Sequence, residues 1–327
     1  MKKILIITTG GTIAMKYEEN RGVVPADDLV KFLRTFKQLK HIADIDVQSF
    51  TNLPSPQMTP EKILELAKLL KHKLKKYDGV IITHGTDTLE ESAYLMDLLL
   101  DTDKPVVFTA AMRSETELGL DGPRNIVGAV RVACDSQTKG EEVLLVMNDE
   151  IHHARDVVKT DTGKTNAFAT PNLGILGIVD PDKIVYYRDA IKKEKIVTDK
   201  LEINIDLIKC IIGMDARQIE CAIEHQAKAI VIETFGRGNV PKTIVPAIQQ
   251  AIAEDILVVA VSRTYTGRVY PEYGYQGGGK HLQELGVVFG ENIRGPKMRI
   301  KLMVLFGKYE KPEKVKEYLQ DKEINEI

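Results

Sequence analysis

Four short segments combine glycine turns or small residues with hydroxyl, carboxylate and amine side chains, and each follows an apolar run of strand length. They are Thr9-Gly10-Gly11-Thr12, Thr83-His84-Gly85-Thr86-Asp87-Thr88, Ala110-Ala111-Met112-Arg113 and the segment from His152 to Thr160, which contains Lys159. In an open parallel sheet, ligands bind beyond the carboxyl ends of the strands, so we expect these segments to share one crevice. That crevice would hold a threonine hydroxyl, a carboxylate and an amine, which are groups that nucleophilic catalysis uses.

Each of these residues also has a structural interpretation. A threonine in a strand-to-helix loop is usually a cap or a turn hydroxyl. Asp87 alone could be a carboxylate near a helix N-cap, and Lys159 alone could be a surface lysine. We interpret the adjacent His152 and His153 as structural, because both cannot easily face one metal and no third ligand lies at a recognisable spacing. His84 is interpreted as a hydrogen-bonding residue of its loop, and no metal or organic cofactor is called for.

The glycine-rich segment from Gly274 to Lys280 is a near match to a phosphate loop, which would indicate a nucleotide-binding protein. His281 follows the lysine where that motif has serine or threonine. The segment also lies well beyond the preceding predicted strand. A mobile or interface loop is therefore the favoured interpretation.

Apolar runs of strand length alternate with amphipathic stretches of helix length, which predicts a parallel sheet with helices on both faces. The runs predict strands at 4–8, 46–50, 79–83, 106–110 and 143–147, and helices at 26–37, 60–76, 89–100 and 123–134. Thr59 followed by Pro60 indicates one helix start, and Thr88 with Glu91 indicates a capping box at another.

A second, smaller α/β alternation follows a lysine- and aspartate-rich stretch. It predicts strands at 208–212, 229–233 and 257–261 and helices at 216–226, 241–253, 296–306 and 311–319. We therefore predict an α/β domain over residues 1–190, a linker over 191–207 and a smaller α/β domain over 208–327.

The composition excludes several classes of protein. With 43% hydrophobic residues, 28% charged residues and a net charge of -2, the 327-residue chain is neither disordered nor fibrous and has no basic face for nucleic acid. No apolar stretch is long enough to span a membrane, and the first apolar run predicts a strand rather than a signal peptide. Three widely spaced cysteines give no disulfide framework, which favours the cytoplasm.

Taken together and in order, the segments resemble the bacterial L-asparaginase family. Thr9-Gly10-Gly11-Thr12-Ile13-Ala14 resembles its first signature, and the ten residues from Gly79 to Thr88 resemble its second. Supporting matches occur at Ala111-Met112-Arg113, Asp121-Gly122-Pro123, Val146-Met147-Asn148-Asp149 and the six residues from Arg155 to Thr160. The resemblance covers essentially the whole chain.

The resemblance implies hydrolysis of the side-chain amide of L-asparagine to aspartate and ammonia. Thr12 would be the nucleophile and would form an acyl-enzyme, with Thr86, Asp87 and Lys159 as a second polar cluster. Glutamine differs from asparagine by one methylene, which an apolar contact discriminates by only about 10- to 200-fold, so glutaminase activity stays open.

The family also implies the substrate-binding residues. Ser55 and Asp87 would hold the α-carboxylate and α-amino groups of the substrate, and Thr86 and Ala111 would lie beside its side-chain amide. Backbone amides around Gly11, Thr12 and Thr86 would supply donors to the oxyanion.

The resemblance further implies a homodimer or homotetramer in which a neighbouring subunit completes each active site. Asn239 matches a position that is contributed in this way, and Glu272 is the nearest candidate for a supporting carboxylate. The chain departs from the family pattern at Pro56, where secreted members have glutamine, and at Tyr17, which is near the family's loop tyrosine but out of register.

Two alternatives belong to other functional classes. The first is the asparaginase-like subunit of a tRNA-dependent amidotransferase, whose chains carry an extra amino-terminal domain, whereas the first predicted strand here follows Met1 almost directly. The second is a non-catalytic sensor that binds asparagine or aspartate in the same crevice.

Overall fold

The computed structural model describes residues 1–20, 22–25, 37–138, 142–190, 194–290 and 292–324. The chain divides into two units, Met1–Val197 and Thr198–Ile327. The helix predicted at 26–37 falls almost entirely on residues 26–36, which lie outside the described residues. Within the described ranges, no helix is both long and apolar enough to cross a membrane.

The first unit is built on a large mixed sheet. Its strands in chain order are β1 (Lys3–Gly10), β2 (Met15–Glu18), β3 (Gly22–Pro25), β4 (Asp44–Leu53), β5 (Gly79–Thr83), β6 (Val106–Thr109), β7 (Val143–Met147), β8 (Glu150–His153), β9 (Val158–Lys159), β10 (Phe168–Ala169), β11 (Gly177–Val179) and β12 (Ile184–Tyr186). In the described part of the chain, the large sheet has the order β12-β11-β8-β7-β6-β5-β1-β4. Strands β4, β1, β5, β6 and β7 are parallel.

The far edge of this sheet is antiparallel. Strands β8, β11 and β12 extend it, while β2–β3 and β9–β10 form separate hairpins. Strand β12 lies within the domain predicted over residues 1–190, but no strand was predicted there. Strand β12 is only three residues long and half-buried, so its short apolar run gave too weak a signal.

The helices in the described part of the first unit are α1 (Pro60–Lys73), α2 (Leu89–Leu99) and α3 (Gly122–Cys134). Helices α2 and α3 pack on the parallel strands, and α1 packs against α2. Helix α1 begins as predicted, because the Thr59 hydroxyl accepts a hydrogen bond from Lys62 N (3.4 Å) and Pro60 lies in the first turn. The capping box predicted for α2 is wrong. Thr88 occupies the N-cap position, but its hydroxyl donates to the carbonyl oxygen of Ser55 (2.8 Å).

Strands β1, β5, β6 and β7 are buried on both faces. On β1, Ile4 and Ile6 join a core with residues of α3, while the alternating Leu5 and Ile7 are buried on the opposite face. This burial confirms the predicted sheet that is covered by helices on both sides. Strand β4 lies at the edge and is only partly buried.

The second unit carries a smaller parallel sheet with the order β13-β14-β15-β16. Its strands are β13 (Ile205–Lys209), β14 (Ala229–Thr234), β15 (Leu257–Ser262) and β16 (Val288–Phe289), and its helices are α4 (Arg217–Glu224), α5 (Val245–Ala253), α6 (Gly279–Leu285), α7 (Gly295–Tyr309) and α8 (Pro312–Ile324). Together with the first unit, it confirms the predicted fold class of a larger and a smaller α/β domain.

Three predictions for the second unit need correction. The strand predicted at 208–212 covers 205–209 instead, because Ile211 and Ile212 lie in an exposed turn that leads to Gly213 with φ of 72°. The helix predicted at 241–253 is split into a 3-10 turn and α5, since Pro246 lies in the first turn of α5. The segment from Gly274, interpreted as a loop, passes into helix α6 at Gly279.

Candidate active site

The turn after β1 is held against two other loops by its backbone. Gly10 and Gly11 have φ of 107° and 83°, a region that favours glycine. Gly11 N donates to Leu53 O (3.1 Å), and a β-carbon on Gly11 would lie 2.3 Å from Gly85 Cα. The first glycine turn therefore lies directly on the glycine of the β5 loop. Thr12 follows as the first residue of a short 3-10 helix and is half-buried.

Ser55 joins the loops after β4 and β5. Its buried hydroxyl accepts a hydrogen bond from Asp87 N (3.1 Å), and its carbonyl accepts one from the Thr88 hydroxyl (2.8 Å). A β-carbon on Gly85 would lie 2.8 Å from Ser55 Oγ. Gly11, Gly85 and Ser55 are thus in direct contact, so three loops from different strands meet at one place.

Lys159, on strand β9, connects that strand to the loop after β5. Its Nζ donates to Thr86 Oγ1 (2.9 Å) and to Asp87 Oδ1 (2.7 Å). The Lys159 side chain is 16% exposed and that of Asp87 is 59% exposed. The threonine, the carboxylate and the amine predicted to share a crevice are therefore one hydrogen-bonded cluster.

The backbone of Lys159 is held by the helix that follows the second signature. Lys159 N donates to the carboxylate of Glu90 (3.1 Å), which lies in the first turn of α2. On the opposite side, β9 pairs with β10 through Phe168. The cationic side chain thus starts from a strand with fixed backbone hydrogen bonds.

A buried ionic network lies between α2 and the β8–β9 corner. His153 Nε2 lies 3.5 Å from Asp97 Oδ2, its Nδ1 lies 3.3 Å from Asp156 Oδ2, and Lys195 Nζ donates to Asp97 Oδ1 (2.9 Å). Burial alone lowers the pKa of His153, but its interactions with Asp156 and Asp97 outweigh burial and raise this pKa to about 9. His153 is therefore charged at neutral pH, and its partners neutralise that charge.

The loop after β6 is fixed by two side chains at the start of α3. The Asp121 carboxylate accepts hydrogen bonds from Met112 N and Arg113 N (3.0 Å each), and the Asn125 amide donates to Ala110 O (2.9 Å). Backbone amides that would otherwise be unpaired are satisfied in this way.

Gly122 brings the β6 loop against the first signature. A β-carbon on this residue would lie 3.1 Å from Ile13 Cγ1 and 3.4 Å from Ala111 Cβ. Ile13 directly follows Thr12, so Ala111 lies in the shell of residues around the first glycine turn.

The histidines have structural partners. The His84 Nδ1 lies 2.7 Å from Gly85 O, so its predicted role as a hydrogen-bonding loop residue is confirmed. The His152 Nδ1 lies 2.9 Å from Thr170 Oγ1. Among the described residues, no group of three or more histidine, cysteine or acidic side chains could hold a metal ion.

The four remaining residues predicted for the site are Asn239, Glu272, Pro56 and Tyr17. In the second unit, Asn239 Oδ1 accepts a hydrogen bond from Gly279 N (3.2 Å), and Glu272 lies 3.5 Å from Arg237 Nε. Pro56 is exposed in the short 3-10 helix that begins at Ser55. Tyr17 lies on β2, and its side chain is outside the described residues.

Two family models match the chain. The model for "Asparaginase, N-terminal" matches residues 3–192, and the model for "Glutaminase/Asparaginase C-terminal domain" matches residues 204–319. The chain belongs to the asparaginase family. The resemblance inferred from the two signatures is thereby confirmed, and each matched model falls within one of the two structural units of this asparaginase-family chain.

Two of the similar proteins match this chain over nearly their full length. The L-asparaginase of Bacillus licheniformis is 34% identical, and the alignment covers 98% of each chain. The solved structure of the probable cytoplasmic L-asparaginase from Campylobacter jejuni is 31% identical with a TM-score of 0.87, and the match covers 98% of this chain and 99% of that one. A glutamyl-tRNA(Gln) amidotransferase subunit of Methanococcus vannielii is 31% identical over 95% of this chain and 76% of its own.

Several residues that support the asparaginase-family site were not found from the sequence. Glu90, Asp97, Asp121 and Asn125 each contact a segment that carries a predicted site residue. The spacing of Asp121 and Asn125, four apart at a helix start, was a usable signal because such residues share a helix face. Glu90 gave none, since 69 residues separate it from Lys159.

Proposed function

We propose that this chain is an L-asparaginase that hydrolyses the side-chain amide of L-asparagine through a threonyl acyl-enzyme. The observation that carries the proposal is the contact of Lys159 with Thr86 and Asp87, directly beside the Gly11 turn that bears Thr12. The similarity to L-asparaginases over nearly the whole chain supports the same substrate.

In the first step, Thr12 Oγ attacks the amide carbon and its proton passes to the polar cluster. Within this cluster Lys159 Nζ donates to Asp87 Oδ1 (2.7 Å), and we assign the proton to the hydrogen-bonded group as a whole. The tetrahedral intermediate expels ammonia, which takes up a proton, and leaves an ester on Thr12. Water then attacks the ester carbon. The Thr12 Oγ leaves as an alkoxide and regains a proton as aspartate is released.

The amino-acid end of the substrate would be held by Asp87 and Ser55. Asp87 is an exposed carboxylate suited to an ammonium group. The Ser55 hydroxyl accepts from Asp87 N, so its own hydrogen remains free to donate to the α-carboxylate. The backbone of Ala111, close to Ile13, would lie beside the side-chain amide.

The oxyanion would be stabilised by backbone amides. Within the described residues, neither Thr12 N nor Thr86 N donates a hydrogen bond to the protein. Preorganised donors of this kind are each worth about 10² to 10³ in rate, because they act where negative charge develops.

We also infer a homodimer or homotetramer in the cytoplasm, with Asn239 and Glu272 contributed to the site of a neighbouring subunit. Similarity to a probable cytoplasmic L-asparaginase of Campylobacter jejuni supports the location. Sedimentation velocity tests the assembly, and an active monomer would contradict it. Mixing inactive Thr12→Ala with an impaired Asn239→Ala variant should restore activity if sites are shared.

The decisive experiment measures ammonia release from L-asparagine, L-glutamine and their D-isomers. Thr12→Ala and Thr86→Val should each lower kcat by about 10³-fold or more while the circular dichroism spectrum stays unchanged. Thr160→Val, an exposed threonine next to Lys159, is the matched control and should keep kcat within about threefold. Near-normal turnover by Thr12→Ala would remove Thr12 as the nucleophile.

One alternative function rests on a specific similarity. The match to the Methanococcus vannielii amidotransferase chain predicts that ammonia release depends on a partner protein, whereas a stand-alone asparaginase needs none. A non-catalytic sensor predicts a higher thermal midpoint with asparagine and no ammonia, because a ligand that binds only the folded state stabilises it.

A further inference from the structure

His84 is a fully buried histidine between the β5 strand and the site. Its backbone N–H donates to Thr109 O (3.0 Å) and so extends the pairing of β5 with β6. Its ring lies near that of Phe108, with 6.1 Å between centroids, and its Nδ1 lies 2.7 Å from Gly85 O. The side chain thus reaches forward to the carbonyl of the next residue, from a position that is fixed by the sheet.

The protonation state of His84 follows from these contacts. A carbonyl oxygen can only accept, so Nδ1 carries the hydrogen. Burial lowers the pKa of His84 to about 4, although the bond to Gly85 opposes this shift. The ring is therefore neutral at physiological pH. Among the described residues Nε2 has no hydrogen-bond partner, which suits a bare lone pair better than a buried N–H.

The bond to Gly85 O determines the direction of the next amide. A trans peptide is planar, so the Gly85 carbonyl and the Thr86 N–H point in opposite directions. His84 holds the carbonyl on the buried side, and the Thr86 N–H therefore points away from His84. Within the described residues this N–H makes no hydrogen bond, although Thr86 is only 7% exposed. A buried donor without a protein partner is costly unless a ligand or water supplies the acceptor.

Gly85 makes this restraint necessary. The residue must be glycine, because a β-carbon would lie 2.8 Å from Ser55 Oγ and 3.0 Å from Gly11 Cα. Glycine also has the widest choice of backbone conformations, so the Gly85–Thr86 peptide could rotate without a second anchor.

We propose that His84 is a positioning residue whose Nδ1–H holds the Gly85 carbonyl and thereby aims the Thr86 N–H at the reacting carbonyl oxygen of the substrate. This inference rests on the proposed function, in which that oxygen becomes the oxyanion. His84 does not touch the substrate and exchanges no proton with it. Its effect should therefore appear in kcat and not in KM.

The test compares two substitutions that both shorten the side chain. In His84→Asn the amide Nδ2 takes the place of Nδ1 and can still donate to Gly85 O, whereas His84→Leu has no donor. We expect His84→Leu to lower kcat about 10²-fold or more with KM nearly unchanged, and His84→Asn to stay within about tenfold of wild type. Both variants should have similarly reduced thermal midpoints. His84→Met, with a fuller side chain and no donor, replaces His84→Leu if the latter does not fold.

Equal kcat values for the two variants, or a normal kcat for His84→Leu, would overturn the inference. A crystal structure of His84→Leu gives an independent answer, since the Gly85–Thr86 peptide should rotate or become disordered and an unchanged peptide contradicts the proposal. Failure of the proposed function is distinguishable, because it would appear as a wild-type protein that releases no ammonia. The peptide orientation in His84→Leu still decides the role of His84 in that case.

Discussion

Gly11 and Gly85 touch backbone to backbone, and each residue excludes a β-carbon at the other's surface. The two family signatures therefore meet through residues that have no side chains. Glycines in such motifs are commonly explained by backbone flexibility, but here close approach is the stronger constraint at Gly85, whose φ is not in the left-handed region. At Gly11 both constraints apply.

Comparing Gly11→Ala with alanine substitutions at two other glycines should separate the effect of positive φ from the effect of close packing. We expect Gly11→Ala to lower the free energy of unfolding by about 3 kcal/mol or more, because strain at positive φ adds to a clash with backbone that cannot yield. Gly174→Ala has positive φ but open space around it and should cost about 1 to 2 kcal/mol.

Gly163→Ala has neither feature and should change stability by less than about 0.5 kcal/mol. Urea denaturation of the three variants provides the measurement. If Gly11→Ala were no more damaging than Gly174→Ala, the packing of the two signatures would be looser than the structure shows.

At the scale of elements, helix α2 organises the site from outside it. Its first turn binds the backbone of Lys159 through Glu90, and its buried Asp97 accepts a hydrogen bond from Val143 N (2.8 Å) and contacts His153. The same helix begins at Thr88, directly after the second signature. The loop that carries Thr86 and the strand that carries Lys159 thus share one rigid support.

Glu90 acts through the backbone of Lys159 and not on the substrate, and we expect Glu90→Ala to impair catalysis for that reason. We expect kcat to fall roughly 10- to 100-fold, because a displacement of the Lys159 backbone of about 1 Å moves its ammonium away from Thr86. Glu90→Gln keeps an acceptor oxygen and should lose much less.

Glu61→Ala, which removes the exposed glutamate in the first turn of α1, is the control and should leave kcat unchanged. Steady-state kinetics of the three variants checks the prediction. Equal kcat values for Glu90→Ala and Glu90→Gln would show that the hydrogen bond to Lys159 N does not position this residue.

At the scale of the molecule, two buried histidines of the first unit impose opposite pH dependences on stability. The pKa of His153 is raised from 6.5 to about 9, so its stabilisation is complete below pH 6.5 and is lost as pH rises through 9. The pKa of His84 is lowered from 6.5 to about 4, so its stabilisation is complete above pH 6.5 and is lost as pH falls through 4. The pKa of Asp156 is lowered from 3.8 to about 2, so its contribution to stability is lost only as pH falls from 3.8 towards 2.

The thermal midpoint should therefore be highest near pH 6.5 and fall on both sides. The free energy of unfolding should decrease by roughly 3 kcal/mol on each side. Differential scanning calorimetry between pH 4 and pH 9 measures this profile. His153→Gln should flatten the alkaline side and His84→Asn the acid side. A midpoint that rises steadily from pH 6.5 to 9 would contradict the charged state assigned to His153.

Single residues show why part of the site could be predicted and part could not. Thr12, Thr86 and Asp87 were found because each lies in a glycine turn after an apolar run, which is a local pattern. The segment that contains Lys159 was found by its position after an apolar run, but the role of Lys159 itself needed the family resemblance. Thr88 was assigned to a capping box on local spacing, whereas a residue 33 positions away accepts its hydroxyl hydrogen.

The sequence by itself determined the fold class, the two-domain plan, the family and the loops that carry the chemistry. These follow from signals that extend over a few residues: the period of apolar side chains, helix caps and glycine turns. Only the tertiary structure decided which side chains hold those loops in place, such as Glu90 on Lys159, Asp97 on His153 and His84 on Gly85. The first two partnerships join residues far apart in the chain, and the third depends on the core around β5, so each depends on how distant segments pack rather than on any local pattern.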